Sequence, residues 1–246
     1  GGIPHGATDY VIFRHLSRPQ GRNRKLSLFL LQYILVMGVY GLLWWLSPLT
    51  GLLIFLGISV LHFGQSNWNY LEFNTAFERQ FTYYLWGALV LFFPIIWHFE
   101  AALPIIEAIT GPVGLTADAQ IQIWTCAGLL GANAAWLIYL YATRQLSWRQ
   151  GRDEAVNLLV LIFAYSQLPL LLGFAVYFVA WHSLSSILDQ MRFYNQHTQK
   201  PYGWRAYLRD VWPFSLLAIG SVGGWLGWQY SLQAQIDWAG LFIFIS

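Results

Sequence analysis

Residues 51–69 read GLLIFLGISVLHFGQSNWN. Eleven residues pass with one hydroxyl and no charge before His62 arrives inside the run, and polar side chains gather only from Gln65 onward. A helix crossing a bilayer needs about 20 apolar residues, and this stretch fits that length. The pattern recurs along the chain. Hydrophobic residues make up 57% of the 246 and charged ones 10%, against about 25% charged in a soluble domain. The sequence therefore predicts an all-α fold, a polytopic transmembrane helix bundle of one integral membrane domain, 1–246. A net charge of +2 gives no basic surface for nucleic acid. The single cysteine, Cys126, rules out a disulfide framework or a thiolate metal site within the chain.

Apolar runs and polar breaks place the spans at 1–16, 26–46, 51–69, 80–99, 119–142, 154–172, 174–194, 211–230 and from 238. A short interfacial helix is expected at 101–110. The count is about eight or nine helices, including truncated terminal ones, because the chain lacks an initiator Met and stops inside the apolar LFIFIS; both ends are expected to be trimmed. SP at 47–48, GP at 111–112 and PLLLG at 169–173 supply the breaks. If the spans alternate, all 13 Lys and Arg residues fall on one side. They are Arg14, Arg18, Arg22, Arg24, Lys25, Arg79, Arg144, Arg149, Arg152, Arg192, Lys200, Arg205 and Arg209. The positive-inside rule makes that side the cytoplasm.

Six histidines are present. His15 and His197 read as solvated loop residues, and His98 as half of an interfacial pair with Glu100. The other three differ. His182 lies roughly 13 Å, and His62 roughly 16 Å, from the outer ends of their spans at 1.5 Å per residue. His5 precedes Arg14 by about the interval that separates His182 from Arg192. Three imidazoles on three helices thus reach one layer near mid-membrane, where ionisable groups are costly and are paired or functional. Neutral imidazole is a common ligand for iron or zinc. Other polar groups surround this layer. Asp9 stands at i+4 from His5, where it reads as acceptor of a metal-bound histidine's second ring proton, with direct ligation or a pair with Arg14 as the competing readings. Gln65 stands at i+3 from His62, and Ser186 at i+4 from His182. Gly2 and Gly6 form a small-xxx-small pair that admits a neighbouring helix.

The segments PHGATD (4–9), HFG (62–64) and WHS (181–183) resemble the signature blocks of the Brp/Blh family. These are bacterial and archaeal membrane proteins, associated with rhodopsins, that cleave β-carotene to retinal. The resemblance implies a histidine-bound non-haem iron, Fe(2+), and O2 acting on the central 15,15′ double bond, with His5, His62 and His182 matching the ligand histidines. The chain departs from the family pattern in three places. Ser186 stands where a further histidine follows the WH histidine by one turn. Tyr10 stands where many members have His, and Gln65, Ser66 and Asn67 where an acid is common. The chain reads as a divergent member.

The resulting expectation is an intramembrane carotenoid dioxygenase of a bacterial or archaeal inner membrane. Its substrate would be β-carotene or a similar apolar polyene entering sideways from the lipid bilayer, with hand-off of retinal to a rhodopsin. The alternative is a non-catalytic carotenoid- or retinal-binding membrane protein, for which the loss of the fourth ligand at Ser186 would be the cause. A covalent rhodopsin is disfavoured, since Lys25 and Lys200 fall in expected loops. A di-iron hydroxylase is disfavoured too, since the chain has no HxxxH and no HH.

Overall fold

The computed structural model describes residues 22–116, 118–197 and 201–231. The spans expected at 1–16 and from 238, with His5 and Asp9, lie outside the described residues. Within them the chain is helical, with no strand: α1 Arg22–Leu46, α2 Pro48–Trp68, α3 Ala76–Trp97, α4 Phe99–Thr110, α5 Ala119–Ala142 and α6 Trp148–Gln167. A long helical stretch follows, made of α7 Leu170–Val176, a π-helical turn Tyr177–Ser183 and α8 Leu184–His197; α9 Trp204–Ser231 comes last. Among the described residues, four helices are long and apolar enough to cross a membrane: Pro48–Trp68, Ala76–Trp97, Ala119–Ala142 and Leu170–Gln196. The apolar part of α1, Ile34–Leu46, is shorter. Large apolar side chains stand exposed along these helices, among them Leu53, Ile58, Ile121 and Ile138. This is the outward face expected of a membrane protein, whose exterior meets lipid rather than water.

Local chemistry sets the ends. Pro48 opens α2, where its missing N–H costs nothing. Thr75 caps α3, its hydroxyl accepting from Glu78 N, with Glu78 in the first turn where the helix dipole favours an acid. Asp118 caps α5 by accepting from the amides of Gln120 and Ile121 at 2.9 and 3.0 Å. Ser147 and Gln150 form a capping box at the start of α6. Gly111, at φ 79°, ends α4 in a conformation that only glycine adopts freely.

One break differs from the sequence expectation. The boundary between the spans 154–172 and 174–194 falls at Leu168–Pro169 rather than at Gly173. Pro169 has no N–H and pushes Leu168 to an extended ψ of 146°, so α6 stops at Gln167. Gly173 lies inside α7 instead, where a Cβ would meet Tyr165 Cδ1 at 3.2 Å.

The described residues fall into two compact units, Leu52–His182 and the described chain on either side of it, 22–51 with 183–197 and 201–231. In the first unit, α2 and α3 touch backbone to backbone. A Cβ on Gly64 would strike the Tyr83 carbonyl, and one on Gly87 would strike the Val60 carbonyl. Residue numbers rise along one helix as they fall along the other, so the pair is antiparallel. Small residues that let backbones meet are the usual interface of membrane helices. A second seam joins α3 to α5, also antiparallel. Tyr139 Oη donates to Glu78 Oε1 at 2.8 Å and Trp136 Nε1 to Thr82 Oγ1 at 2.8 Å. Asn133 Nδ2 donates to the Leu85 carbonyl at 3.3 Å, and Cys126 Sγ to that of Phe93 at 3.9 Å. Interhelical hydrogen bonds in membranes average about 0.6 kcal/mol, so the seam works as much by fixing register as by energy. Leu89 and Val90 on α3 are wholly buried in the cluster this creates.

In the second unit, α1 buries Trp44 against Tyr40, ring centres 6.0 Å apart, and beside Gly51. Tyr194, Tyr202, Tyr207 and Val211 form a small cluster between α8 and α9. Asn195 clasps both backbone groups of Tyr202, whose hydroxyl donates to Asp210 Oδ2 at 3.1 Å. Burial and then the Asp210 carboxylate push the Tyr202 phenol well above its ordinary range.

Replacing Gly64 with Ala should cost about 1–3 kcal/mol by overpacking against backbone that cannot give way. Gly57→Ala, on the exposed face of the same helix, should stay within about 0.5 kcal/mol. Thermal unfolding of the detergent-solubilised protein, followed by tryptophan fluorescence, separates the two.

Candidate metal centre

Gly64 decides which way His62 looks. With Gly64 and Phe63 turned into the bundle and buried, His62 occupies the neighbouring face of α2. Its partner there is His182, from the π turn. The two imidazole centres are 5.0 Å apart with planes at 71°. His182 is 4% exposed and lies among aromatic rings: Phe178 at 5.1 Å, Phe63 at 5.2 Å and Tyr177 at 6.4 Å, the last nearly parallel at 25°. Phe63 in turn meets Tyr177 and Phe178 edge-on at 5.8 and 5.6 Å. Each such contact is worth about 0.5–1.5 kcal/mol beyond area burial, enough to hold the imidazole in one orientation.

The ring-centre spacing is that of an edge-to-face contact, and it is also compatible with a shared cation. With metal–nitrogen bonds of about 2.0–2.1 Å, each ring centre lies about 3.2 Å from the ion, so imidazoles set about 90–110° apart have centres about 4.5–5.2 Å from each other. The observed 5.0 Å falls inside that interval. Among the described residues no third His, Cys, Asp or Glu joins the two in a metal-holding group. His5 and Asp9, the expected third imidazole and its acid, lie outside the described residues. Gln65 follows His62 on α2 and is exposed; Ser186 lies on α8 and is half-buried.

His98 departs from the expected pairing with Glu100. Its Nε2 donates to the Tyr165 carbonyl at 2.8 Å. The reason is covalent. In a continuous helix that carbonyl would accept from the amide four residues on, which is Pro169 and has no N–H. The imidazole of His98, at the junction of α3 and α4, takes the vacant acceptor. Position 98 in the sequence gives no hint of this partner.

A second buried acid also escaped the reading by depth. Glu154, 6% exposed, accepts from Tyr70 Oη at 2.7 Å and from Asn67 and Asn157 Nδ2 at 3.4 Å each. It ties α6 to the last turn of α2 and the loop after it. The buried hydroxyl end of Tyr70 and the adjacent Glu154 carboxylate push that phenol well above its ordinary range. The only sequence signal was the run Asn67, Asn69, Tyr70 following the histidine block.

A helical membrane protein that sets a buried imidazole, ringed by aromatic side chains, against a second, exposed imidazole is the class that fold and site define. The chain belongs to the beta-carotene 15,15′-dioxygenase family, whose model matches residues 1–246. The resemblance drawn from PHGATD, HFG and WHS therefore holds. Among curated relatives, the probable beta-carotene 15,15′-dioxygenase Blh of Halobacterium salinarum is 25% identical over 201 residues, 76% of this chain and 57% of that protein. The beta-carotene 15,15′-dioxygenase of the uncultured marine bacterium 66A03 is 28% identical over 182 residues, 74% of this chain and 62% of that protein. The chain thus spans about three fifths of the length of these relatives. No solved structure matches it.

The His98 link gives a direct test. His98→Ala should destabilise the protein by about 1–3 kcal/mol, the cost of a buried carbonyl left without a donor. Pro169→Ala restores an amide four residues after Tyr165, so His98→Ala should cost less in that background. A double-mutant cycle on unfolding free energies reads the difference.

Proposed function

We propose that the chain is an intramembrane carotenoid oxygenase that splits β-carotene, or a closely related polyene, with O2 at its central double bond to give retinal. The reaction balances without protons or an external reductant: one C=C bond and one O2 become two aldehydes. The observation that carries this reading is the His62–His182 pair, 5.0 Å between ring centres, in a chain of this family. His62 and His182 would hold Fe(2+), with His5 as the third imidazole and Asp9 as the acid that orients one of them. Iron bound by neutral imidazoles with open positions supplies O2 activation.

The protein's own part is placement. Phe63 and Phe178, packed against His182, give that side of the site an apolar wall that a conjugated chain can lie along and water avoids. Holding one double bond beside the reacting centre is the contribution that positioning makes to such chemistry. A substrate that dissolves in lipid suits a site within membrane helices. The membrane would be a bacterial or archaeal inner membrane with the Arg- and Lys-rich loops facing the cytoplasm, and retinal would pass to a rhodopsin. Ser186 supports a second reading, in which the chain binds carotenoid or retinal without cleaving it.

Expression in bacteria that accumulate β-carotene tests both. Oxygen-dependent bleaching with retinal formed is the expected result; intact pigment that co-purifies would favour the binder. His62→Ala and His182→Ala should each strip iron from the purified protein and abolish retinal formation, at least about 100-fold by comparison with the 10–100-fold typical of outer partners. His197→Ala should retain both.

A further inference from the structure

The π turn Tyr177–Ser183 interrupts a helix that is α-helical on both sides. A π turn closes its hydrogen bonds from i to i+5 and costs helix regularity, and such turns concentrate at functional sites. Here its consequence is specific. At 3.6 residues per turn, residues five apart on an α-helix point about 140° away from each other, so Tyr177 and His182 could not meet. In the π turn residues five apart stand roughly one above the other, and the two rings lie 6.4 Å apart at 25°. Phe178, four before His182, keeps its own contact at 5.1 Å. The wider turn therefore adds Tyr177 to the face that carries His182. Tyr177 is itself held: it is buried and packs on Phe63 at 5.8 Å and on Tyr165 at 6.3 Å.

We propose that the π turn exists to present Tyr177 as a positioning residue, which stacks on His182 and keeps that imidazole turned toward His62. Tyr177 acts through its ring face and not through its hydroxyl, and it is not a ligand. The assignment rests on the metal-centre reading of the histidine pair and deepens it: it names a ring contact that orients a buried imidazole.

The test uses the full chain in detergent micelles, stripped of metal, with Co(II) as probe. Tyr177→Phe keeps the ring and should bind Co(II) with wild-type affinity and an unchanged visible spectrum. Tyr177→Leu keeps the bulk but loses the stack, and should weaken binding about 10–100-fold, as loss of an orienting partner typically does, with an altered spectrum. Deleting Val179, which is exposed, removes the extra residue of the wide turn; binding should then fall to the level of His182→Ala. If that deletion does not fold, the two Tyr177 variants decide the matter alone. The metal-free protein gives an independent readout: the ring-current shift of the His182 imidazole protons, to which Phe63 and Phe178 also contribute, should be the same in wild type and Tyr177→Phe and should change in Tyr177→Leu. Wild-type affinity and spectrum in Tyr177→Leu, or His182 proton shifts that the substitution leaves unchanged, overturns the proposal. A wild type that binds no Co(II) while the shift still follows the Tyr177 series would sink the metal reading and leave the stack standing.

Discussion

Two backbones in direct contact govern the arrangement of the larger unit. Where α2 crosses α3, Gly64 lies on the Tyr83 carbonyl and Gly87 on the Val60 carbonyl. Neither position has room for a Cβ, so the crossing can be made in one register only. That register turns Phe63 inward and leaves His62 on the adjoining face, two residues from the contact. A one-residue slip would rotate the histidine by about 100° and separate it from His182. The glycine of HFG thus serves the imidazole that precedes it by fixing the helix that carries it.

The polar groups of the unit follow from a second constraint, the cost of an unsatisfied donor or acceptor away from water. Each solution joins elements distant in sequence. Asn133 and Trp136 donate from α5 to α3, Glu154 gathers Asn67, Tyr70 and Asn157, and His98 answers the carbonyl that Pro169 leaves open. These bonds are modest in energy. They exclude other registers, because a shifted helix would strand several polar groups at once. Helices locked in this way keep the two imidazoles at one spacing, 5.0 Å between ring centres.

His182 sits in different company, with rings from α2 and from its own turn packed on it by face and by edge. Such a cage is apolar, and its packed rings restrict the swing of the imidazole. Family membership, shared with proteins of an archaeon and a marine bacterium, fits that combination.

The sequence by itself determined the helical membrane class, the family through its three histidine blocks, and the breaks at Ser47–Pro48 and Gly111–Pro112. It also placed His62 and His182 on helical segments, as the structure has them. It found the break in PLLLG, 169–173, but set the span boundary at the Gly173 end, whereas the helix stops at the Pro169 end. Tertiary structure alone decided which way each histidine faces, that Gly64 and Gly87 are contact points, that His98 serves Tyr165 and not Glu100, and that the helix widens at Tyr177. The physical reason is common to all of these. Hydrophobicity marks position along a helix axis, whereas azimuth in an evenly apolar helix is set by the neighbours it packs against, and those come from elsewhere in the chain.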